Sequence, residues 1–466
     1  MNFVSVEFAY LFAGVFSLLF LVRSPFLRKI IILSASCIFY AYWDWRFLGL
    51  LVVVTVMDYY ISRFLAQSEN INHRKVFLTF SIVTNLGILS VFKYLNFFIE
   101  NLDHLFSPLG WTLKSVHIIL PIGISFYIFE TLSYVIDVYR GDTHPANSLL
   151  DYAVFITFFP RLVAGPIMRA RQFLPQLERG VKINLANLIA GAQLFAQGLI
   201  KKVLIADRLS VGVDTIFADP GIFSPASVWV AVLAYSIQIY FDFSGYTDMA
   251  LGVAKAIGFE LPMNFNLPYT AQSLSEFWRR WHISLSTWLR DYLYIPLGGN
   301  RKGKLRTYTN LMITMLLGGL WHGASWNFVI WGGLHGLYLA LERLLRGRRP
   351  PSTPWQRPLA WVKALSVFVL VTVTWVFFRS PSFMTSRIIL KKLLFLSPGG
   401  IHWLYAPALV FVPLIVIGGL IMRRLEYRIP PLTIEKPYAI PLLITEYLWV
   451  YLFFPTQVNP FIYFQF

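Results

Sequence analysis

Residues 226–257 read ASVWVAVLAYSIQIYFDFSGYTDMALGVAKAI, and the first half of that run carries no formal charge. Apolar side chains occur all round such a helix, where a helix lying on a soluble core would show a polar stripe. About 20 residues of this kind cross the hydrocarbon layer of a bilayer as a helix that satisfies its own backbone hydrogen bonds. Asp242 and Asp248 fall in the later half. Inside a membrane helix they must face protein or water, where they either orient a histidine or pair with an arginine.

The rest of the chain repeats this pattern. Of its 466 residues 57% are hydrophobic and only 14% charged, with a mean hydropathy of +0.60, which is too little polar surface for a soluble protein of this size. Apolar runs lie at 4–22, 29–43, 47–65, 76–99, 117–139, 152–168, 185–205, 226–257, 308–321, 326–344, 358–378, 404–422 and 437–455. These predict an all-α, multi-pass integral membrane protein with roughly ten to thirteen embedded helices, some too short or broken to span cleanly. Longer polar stretches separate them at 100–116, 140–151, 169–184, 208–225, 258–306 and 379–403. There is no fixed-period repeat, so 1–466 is expected to form one transmembrane domain. The first run lacks a basic N-terminal region, carries Glu7 and has no small-x-small site before Arg23, so it reads as a retained span and not a signal peptide. The single cysteine, Cys37, excludes a disulfide framework and reads as a packing residue.

The net charge of +17 is concentrated in short loops. Arg23 with Arg28 and Lys29 is one group, and His73-Arg74-Lys75 another; the cluster Arg301, Lys302, Lys304 and Arg306 follows. Arg343, Arg346, Arg348 and Arg349 form the next, before Arg423-Arg424. In so apolar a chain this is the positive-inside pattern and not a nucleic-acid surface. The same loops attract anionic lipid headgroups or an anionic substrate.

Residues 258–306 depart from the pattern. Pro262 and Pro268, with Asn264 and Asn266 between them, end the preceding helix in an irregular loop. Ser273 to Glu276 then reads as a capping box. The helix it opens is expected to place Leu274, Phe277, Trp278, Trp281, Leu285, Trp288, Leu289 and Tyr292 on one stripe and to end at Pro296, Gly298 and Gly299. Glu276, Arg279, Arg280, His282, Ser286, Arg290 and Asp291 fall off the stripe. A helix so amphipathic belongs at an interface or at the edge of a hydrated cavity.

Of eight histidines, His73, His104, His117, His144 and His402 sit at loops or segment ends. His282 lies in Arg279-Arg280-Trp281-His282, His322 in Gly318-Gly319-Leu320-Trp321-His322-Gly323, and His335 in Gly332-Gly333-Leu334-His335-Gly336. An ionisable group in a membrane segment is a functional candidate by default. The alternative for His322 is a hydrogen bond bridging helices, and for His335 it is glycine-flanked packing. The glycines let either backbone or ligand approach closely. A neutral imidazole beside a hydroxyl can take its proton and make it nucleophilic toward a thioester. There is no Gly-x-Ser-x-Gly elbow, no His-Glu-x-x-His and no thiolate set for zinc. Gly298-Gly299-Asn300 lacks the Lys-Ser/Thr of a phosphate loop. No metal is expected. Pro160-Arg161, Gly165-Pro166, Arg169 and Arg171 form a broken basic segment that serves either a phosphate-bearing substrate or membrane anchoring.

These residues resemble the membrane-bound O-acyltransferases, in their bacterial alginate O-acetylation branch. The resemblance runs over most of the chain. It is carried by Pro121-Ile-Gly-Ile-Ser-Phe-Tyr127, Phe159-Pro-Arg-Leu-Val-Ala-Gly-Pro166, Phe241-Asp-Phe-Ser-Gly-Tyr-Thr-Asp248, Phe277-Trp-Arg-Arg-Trp-His282 and Gly319-Leu-Trp-His-Gly323. It implies that His322 is the essential family histidine and that His282 holds the second catalytic position. The spacing of 40 residues between them fits the family. Arg279 and Arg280 become candidates for holding donor phosphates, with Trp321, His335 and Asp242 as further candidates for lining the substrate site. The implied fold is a ring of helices around a central funnel, with short re-entrant and interfacial helices. The implied activity moves an acetyl group from cytosolic acetyl-CoA, or another acyl thioester, across the bacterial inner membrane. A periplasmic membrane-associated acetyltransferase partner would receive it and modify an exported polysaccharide such as alginate or cellulose. Relatives also act on peptidoglycan, and one branch passes D-alanine to teichoic acids. No bound cofactor and no nucleic acid are implied. Two other readings are a polysaccharide or lipid exporter and a non-catalytic membrane scaffold. An exporter would commonly show paired repeats.

Overall fold

The computed structural model describes residues 1–110, 112–180, 183–345, 356–425, 436–455 and 459–462; Arg346, Arg348 and Arg349 lie outside this set. Among the described residues the regular structure is helical, apart from one parallel backbone bridge between Phe223 and Ile401. Among the described residues, seven helices are long and apolar enough to cross a membrane: Pro25–Asp44, Arg46–Gln67, Ile71–Leu109, Leu185–Ala218, Pro225–Ala256, Ala360–Arg379 and Ala406–Arg424. Val6–Leu21 and Ala439–Leu452 are shorter apolar helices. The expected all-α multi-pass membrane protein is what the chain forms.

The chain divides into two compact units. The first comprises Met1–Phe195, Thr247–Pro262 and Leu432–Leu443, and the second Ala196–Tyr246, Met263–Pro431 and Ile444–Phe466.

Polar bridges pin the helices of the first unit. Ser81 Oγ donates to Asp58 Oδ1 at 2.6 Å and Asn85 Nδ2 to Oδ2 at 2.8 Å. Thr131 Oγ1 donates to Asn85 Oδ1 at 3.3 Å, so three helices share one buried carboxylate. Side-chain hydrogen bonds of this kind join helices where apolar burial offers no driving force.

The expected span at 152–168 does not form. The helix Leu149–Thr157 stops short, and residues 158–169 are non-helical, with turns over 159–164, and buried throughout. Pro160, Gly165 and Pro166 prevent the helix from continuing. Non-helical backbone at such a place needs protein partners, and Arg161 supplies them. Its guanidinium pairs with Glu130 and donates to the Phe155 carbonyl, while Glu130 Oε1 accepts the Met168 N–H at 3.1 Å. With 2% exposure, Arg161 is an interior brace and not a residue of the membrane edge.

Three stretches expected to be polar connections contain amphipathic helices: Ala170–Arg179, Asp207–Ala218 and Phe383–Leu393. In Ala170–Arg179 the side chains of Phe173, Leu174 and Leu177 are buried. Single apolar faces on helices of 10 to 12 residues leave no long hydrophobic run to read. The expected run 117–139 becomes helical only from Ile124, because Gly123 takes a left-handed φ of 75°. The second unit packs around Trp281, Trp331 and Trp375, whose faces meet at 5.0 Å (Trp281–Trp375) and 5.7 Å (Trp331–Trp375).

Candidate active site

His322 ends the helix Lys304–His322, and the chain turns directly into Trp326–Leu345. This pair forms where the expected runs 308–321 and 326–344 lie. Glycines bring the two helices together: Gly319 on the first, Gly332 and Gly336 on the second. A Cβ on Gly319 would lie 3.1 Å from Gly332 Cα and nearer still to the Phe328 carbonyl oxygen, and one on Gly336 would lie 2.9 Å from Met312 Sδ. The glycines around His322 and His335 therefore serve close backbone packing, one of the two uses left open by the sequence.

That packing sets an aromatic cage. The His322 ring meets Trp321 at 5.0 Å, Trp331 at 5.1 Å and Phe378 at 5.1 Å, each edge to face. Three such contacts fix the plane of the imidazole. The imidazole sits in the last turn of Lys304–His322, at the helix's carbonyl end. His322 is 5% exposed, whereas His282 and His335 are fully buried.

The helix expected to run through 273–292 is broken at His282. Leu274–Trp278 and Ile283–Leu289 are separate helices, and His282 between them has φ 41°, in the left-handed region. For a residue with a side chain this conformation costs about 1–2 kcal/mol. The Asn264 loop holds it in place. The Asn264 carbonyl accepts the Ile283 N–H at 3.0 Å, and its Oδ1 accepts the Ser284 N–H at 3.1 Å. Asn264 thus caps the second helix. The break turns His282 from the polar side, where a continuous helix would put it, into the core. There its ring meets Phe243 at 4.7 Å and Trp321 at 6.1 Å. Burial pushes the imidazole down to about 3, so it is neutral at working pH. Trp321 is a wall shared by His282 and His322. At the expected capping box Ser273 Oγ accepts the Glu276 N–H at 3.1 Å, and Glu276 Oε2 accepts the Gln272 N–H at 2.8 Å.

His335 joins the cluster through Trp331 at 4.8 Å and Trp278 at 5.1 Å. Its Nε2 lies 3.0 Å from Thr374 Oγ1, and that hydroxyl already donates to the Val371 carbonyl at 2.7 Å. Nε2 must therefore carry the proton and donate. His335 bridges Trp326–Leu345 to Gln356–Arg379.

Of the remaining expected residues, Arg280 and Asp242 have polar partners of their own. Arg280 donates to Glu276 Oε1 at 2.9 Å and to the Asn266 carbonyl at 3.0 Å, and Arg279 is exposed. Among the described residues Asp242 pairs with a lysine and not with an arginine or a histidine. Lys202 Nζ lies 2.7 Å from Asp242 Oδ1 and 2.8 Å from Asp207 Oδ1. Among the described residues, no three or more His, Cys, Asp or Glu converge as a metal site would require. Sequence reading missed Trp331, Phe378, Thr374 and Asn264. Trp331 stands four residues before His335 and so shares its helix face, a signal present in the sequence. The contribution of Phe378 and Thr374 depends on a helix far along the chain.

A model of the membrane-bound O-acyltransferase family matches residues 37–380, a range that contains all three of these histidines. The chain is 49% identical to a probable alginate O-acetylase AlgI of Azotobacter vinelandii, over 82% of this chain and 75% of that protein. It is 35% identical to a peptidoglycan O-acetyltransferase of Helicobacter pylori, over 90% of this chain and 83% of the relative. A teichoic acid D-alanyltransferase of Streptococcus thermophilus is 30% identical, over 53% of this chain and 65% of its own length.

Proposed function

We propose, on the premise that this chain belongs to the membrane-bound O-acyltransferase family, that it passes an acetyl group from cytosolic acetyl-CoA across the inner membrane toward an exported polysaccharide. The chain is a multi-pass membrane O-acyltransferase, and polysaccharide O-acetylation is the activity its relatives' names support. Alginate is the first candidate acceptor, with cellulose another. A membrane-associated acetyltransferase on the periplasmic side is the proposed next carrier. The single observation that supports this reading most is the placing of His282 and His322 on one indole, Trp321, with His322 caged by three aromatic edges.

In the proposed reaction His322 takes the proton of the acceptor hydroxyl, which belongs to the sugar or to the partner's nucleophile. The oxygen attacks the thioester carbonyl, the carbon–sulfur bond breaks, and the departing thiolate receives the proton back from the imidazolium. One proton and one acetyl group change places, and neither oxidant nor reductant is needed. His282, neutral and locked by its backbone turn, positions or polarises His322 from across Trp321. Arg279, exposed, is the freer of the two arginines to meet donor phosphates, since Arg280 already binds Glu276 and Asn266.

The test uses purified protein in nanodiscs with radiolabelled acetyl-CoA, wild type beside His322→Ala, and follows release of free CoA. Wild type is expected to cleave the thioester and the variant to lose about 10²–10⁴-fold in rate. Equal cleavage by a well-folded variant would remove His322 from the chemistry. No cleavage by either protein, even with the partner enzyme added, would favour an exporter or a scaffold.

A further inference from the structure

The Phe243 ring that meets His282 also meets a piece of chain remote in sequence. Residues 459–462 run across the second unit between two polar anchors. At one end Asn459 Nδ2 donates to Ser210 Oγ at 2.7 Å. At the other the Ile462 N–H donates to Asp242 Oδ2 at 2.9 Å. Asp242 is held in turn by Lys202, which also meets Asp207. The three charged groups are buried, at 1%, 3% and 7% exposure for Asp242, Lys202 and Asp207.

Two carboxylates against one ammonium leave this trio with surplus negative charge, and a buried charge is tolerated only when further hydrogen bonds satisfy it. The Ile462 N–H is such a donor. Non-helical backbone in a membrane protein likewise needs an internal partner, so the anchor serves both sides. Between the anchors Phe461, 1% exposed, stacks on Tyr246 at 4.6 Å and contacts Phe243 at 5.6 Å. Phe243 is the ring that meets His282 at 4.7 Å, edge to face at 84°.

We infer that residues 459–462 act as a strap that positions His282, with Phe461 as the positioning residue acting through Phe243. His282 sits in a left-handed backbone turn that a continuous helix would relieve, so its ring needs support from behind as well as the Asn264 cap. The strap's part in catalysis rests on the role proposed above for His282; its part in shielding the ring does not.

The experiment uses the full chain in nanodiscs, as wild type, Phe461→Ala and Phe461→Leu. Diethyl pyrocarbonate modification of each histidine is timed by peptide mass spectrometry, and acetyl-CoA turnover is measured beside it. In Phe461→Ala, His282 is expected to react about tenfold faster through local opening, while His335, held by Thr374, keeps its wild-type rate. The kcat is expected to fall about tenfold to a hundredfold for a ring displaced by about 1 Å, with KM for acetyl-CoA little changed. Phe461→Leu, which refills the space, restores most of both. An unchanged His282 rate in Phe461→Ala overturns the strap, and so does an equal rise at His335, which would mean general loosening. If wild type shows no turnover, the acetyl-transfer reading fails while the modification rates still decide the strap.

Discussion

Replacing Gly319 by alanine is expected to separate the helices that carry His322 and Trp331. The new methyl would lie 3.1 Å from Gly332 Cα and closer still to the carbonyl oxygen of Phe328. Both obstacles are backbone atoms, so no side-chain rotation relieves them and the helices must move. Overpacking of this kind costs about 1–3 kcal/mol, while alanine's better helix propensity returns at most about 1 kcal/mol. A net loss of about 1–2 kcal/mol should lower the unfolding midpoint by roughly 1–3 °C in a chain this large. The effect on rate is larger. His322 stands one turn beyond Gly319, and its ring contacts Trp331 at 5.1 Å, so separation opens that contact directly. A shift of about 1 Å costs up to about a hundredfold in turnover. Gly333→Ala is the control, because its methyl would lie 3.4 Å from Leu316 Cδ2, the end of a flexible side chain. Thermal unfolding in nanodiscs and release of CoA are measured for both variants. If Gly319→Ala melts and turns over as Gly333→Ala does, close helix approach is not what holds His322.

Two further outcomes follow from the same unit. Thr374→Val removes the acceptor of the His335 Nε2–H and leaves a buried donor unpaired, which costs about 1–3 kcal/mol; the melting temperature is expected to fall with kcat near wild type, and the reverse pattern would move His335 into the chemistry. Burial alone would raise the Glu276 carboxyl, yet the Gln272 N–H, Arg423 and Arg280 together hold it below its ordinary 4.5. Its contribution to stability is thus complete above about pH 4.5 and lost as pH falls through the lower folded value. The melting-temperature gap between wild type and Glu276→Gln should therefore narrow on acidification from pH 7 to below 4, and a gap that stays constant would show that the Arg423–Glu276 bridge at 3.0 Å does not stabilise the fold.

The membrane class was legible because it is written in composition and run length. The runs 308–321 and 326–344 anticipated their helices within a few residues for the same reason. The run at 152–168 misled because hydropathy does not register what Pro160 and Pro166 do to a helix once Arg161 and Glu130 make a buried turn tolerable. The break at His282 was illegible for a related reason. Helical periodicity continues through 274–292, and the force that interrupts it comes from Asn264, eighteen residues upstream. That loop had been recognised only as a helix breaker, whereas its carbonyl and side chain cap the next helix. Lys202 lay inside the expected segment 185–205, where an embedded ammonium requires a carboxylate. Asp242 was the available partner, and only the fold shows that the two meet.

The shared indole has a consequence for how this site tolerates change. Trp321 touches the His282 and His322 imidazoles, and Trp331 touches His322 and His335, so the three histidines and the two indoles form one continuous chain of rings. Residues in direct contact couple by about 0.5–3 kcal/mol in double-mutant cycles. Substitutions along this chain should therefore be epistatic: a smaller ring at Trp321 alters the setting of both histidines at once, and a second change that looks harmful by itself becomes the one that restores them. An evolving lineage could remodel this pocket by paired replacements, but hardly one ring at a time.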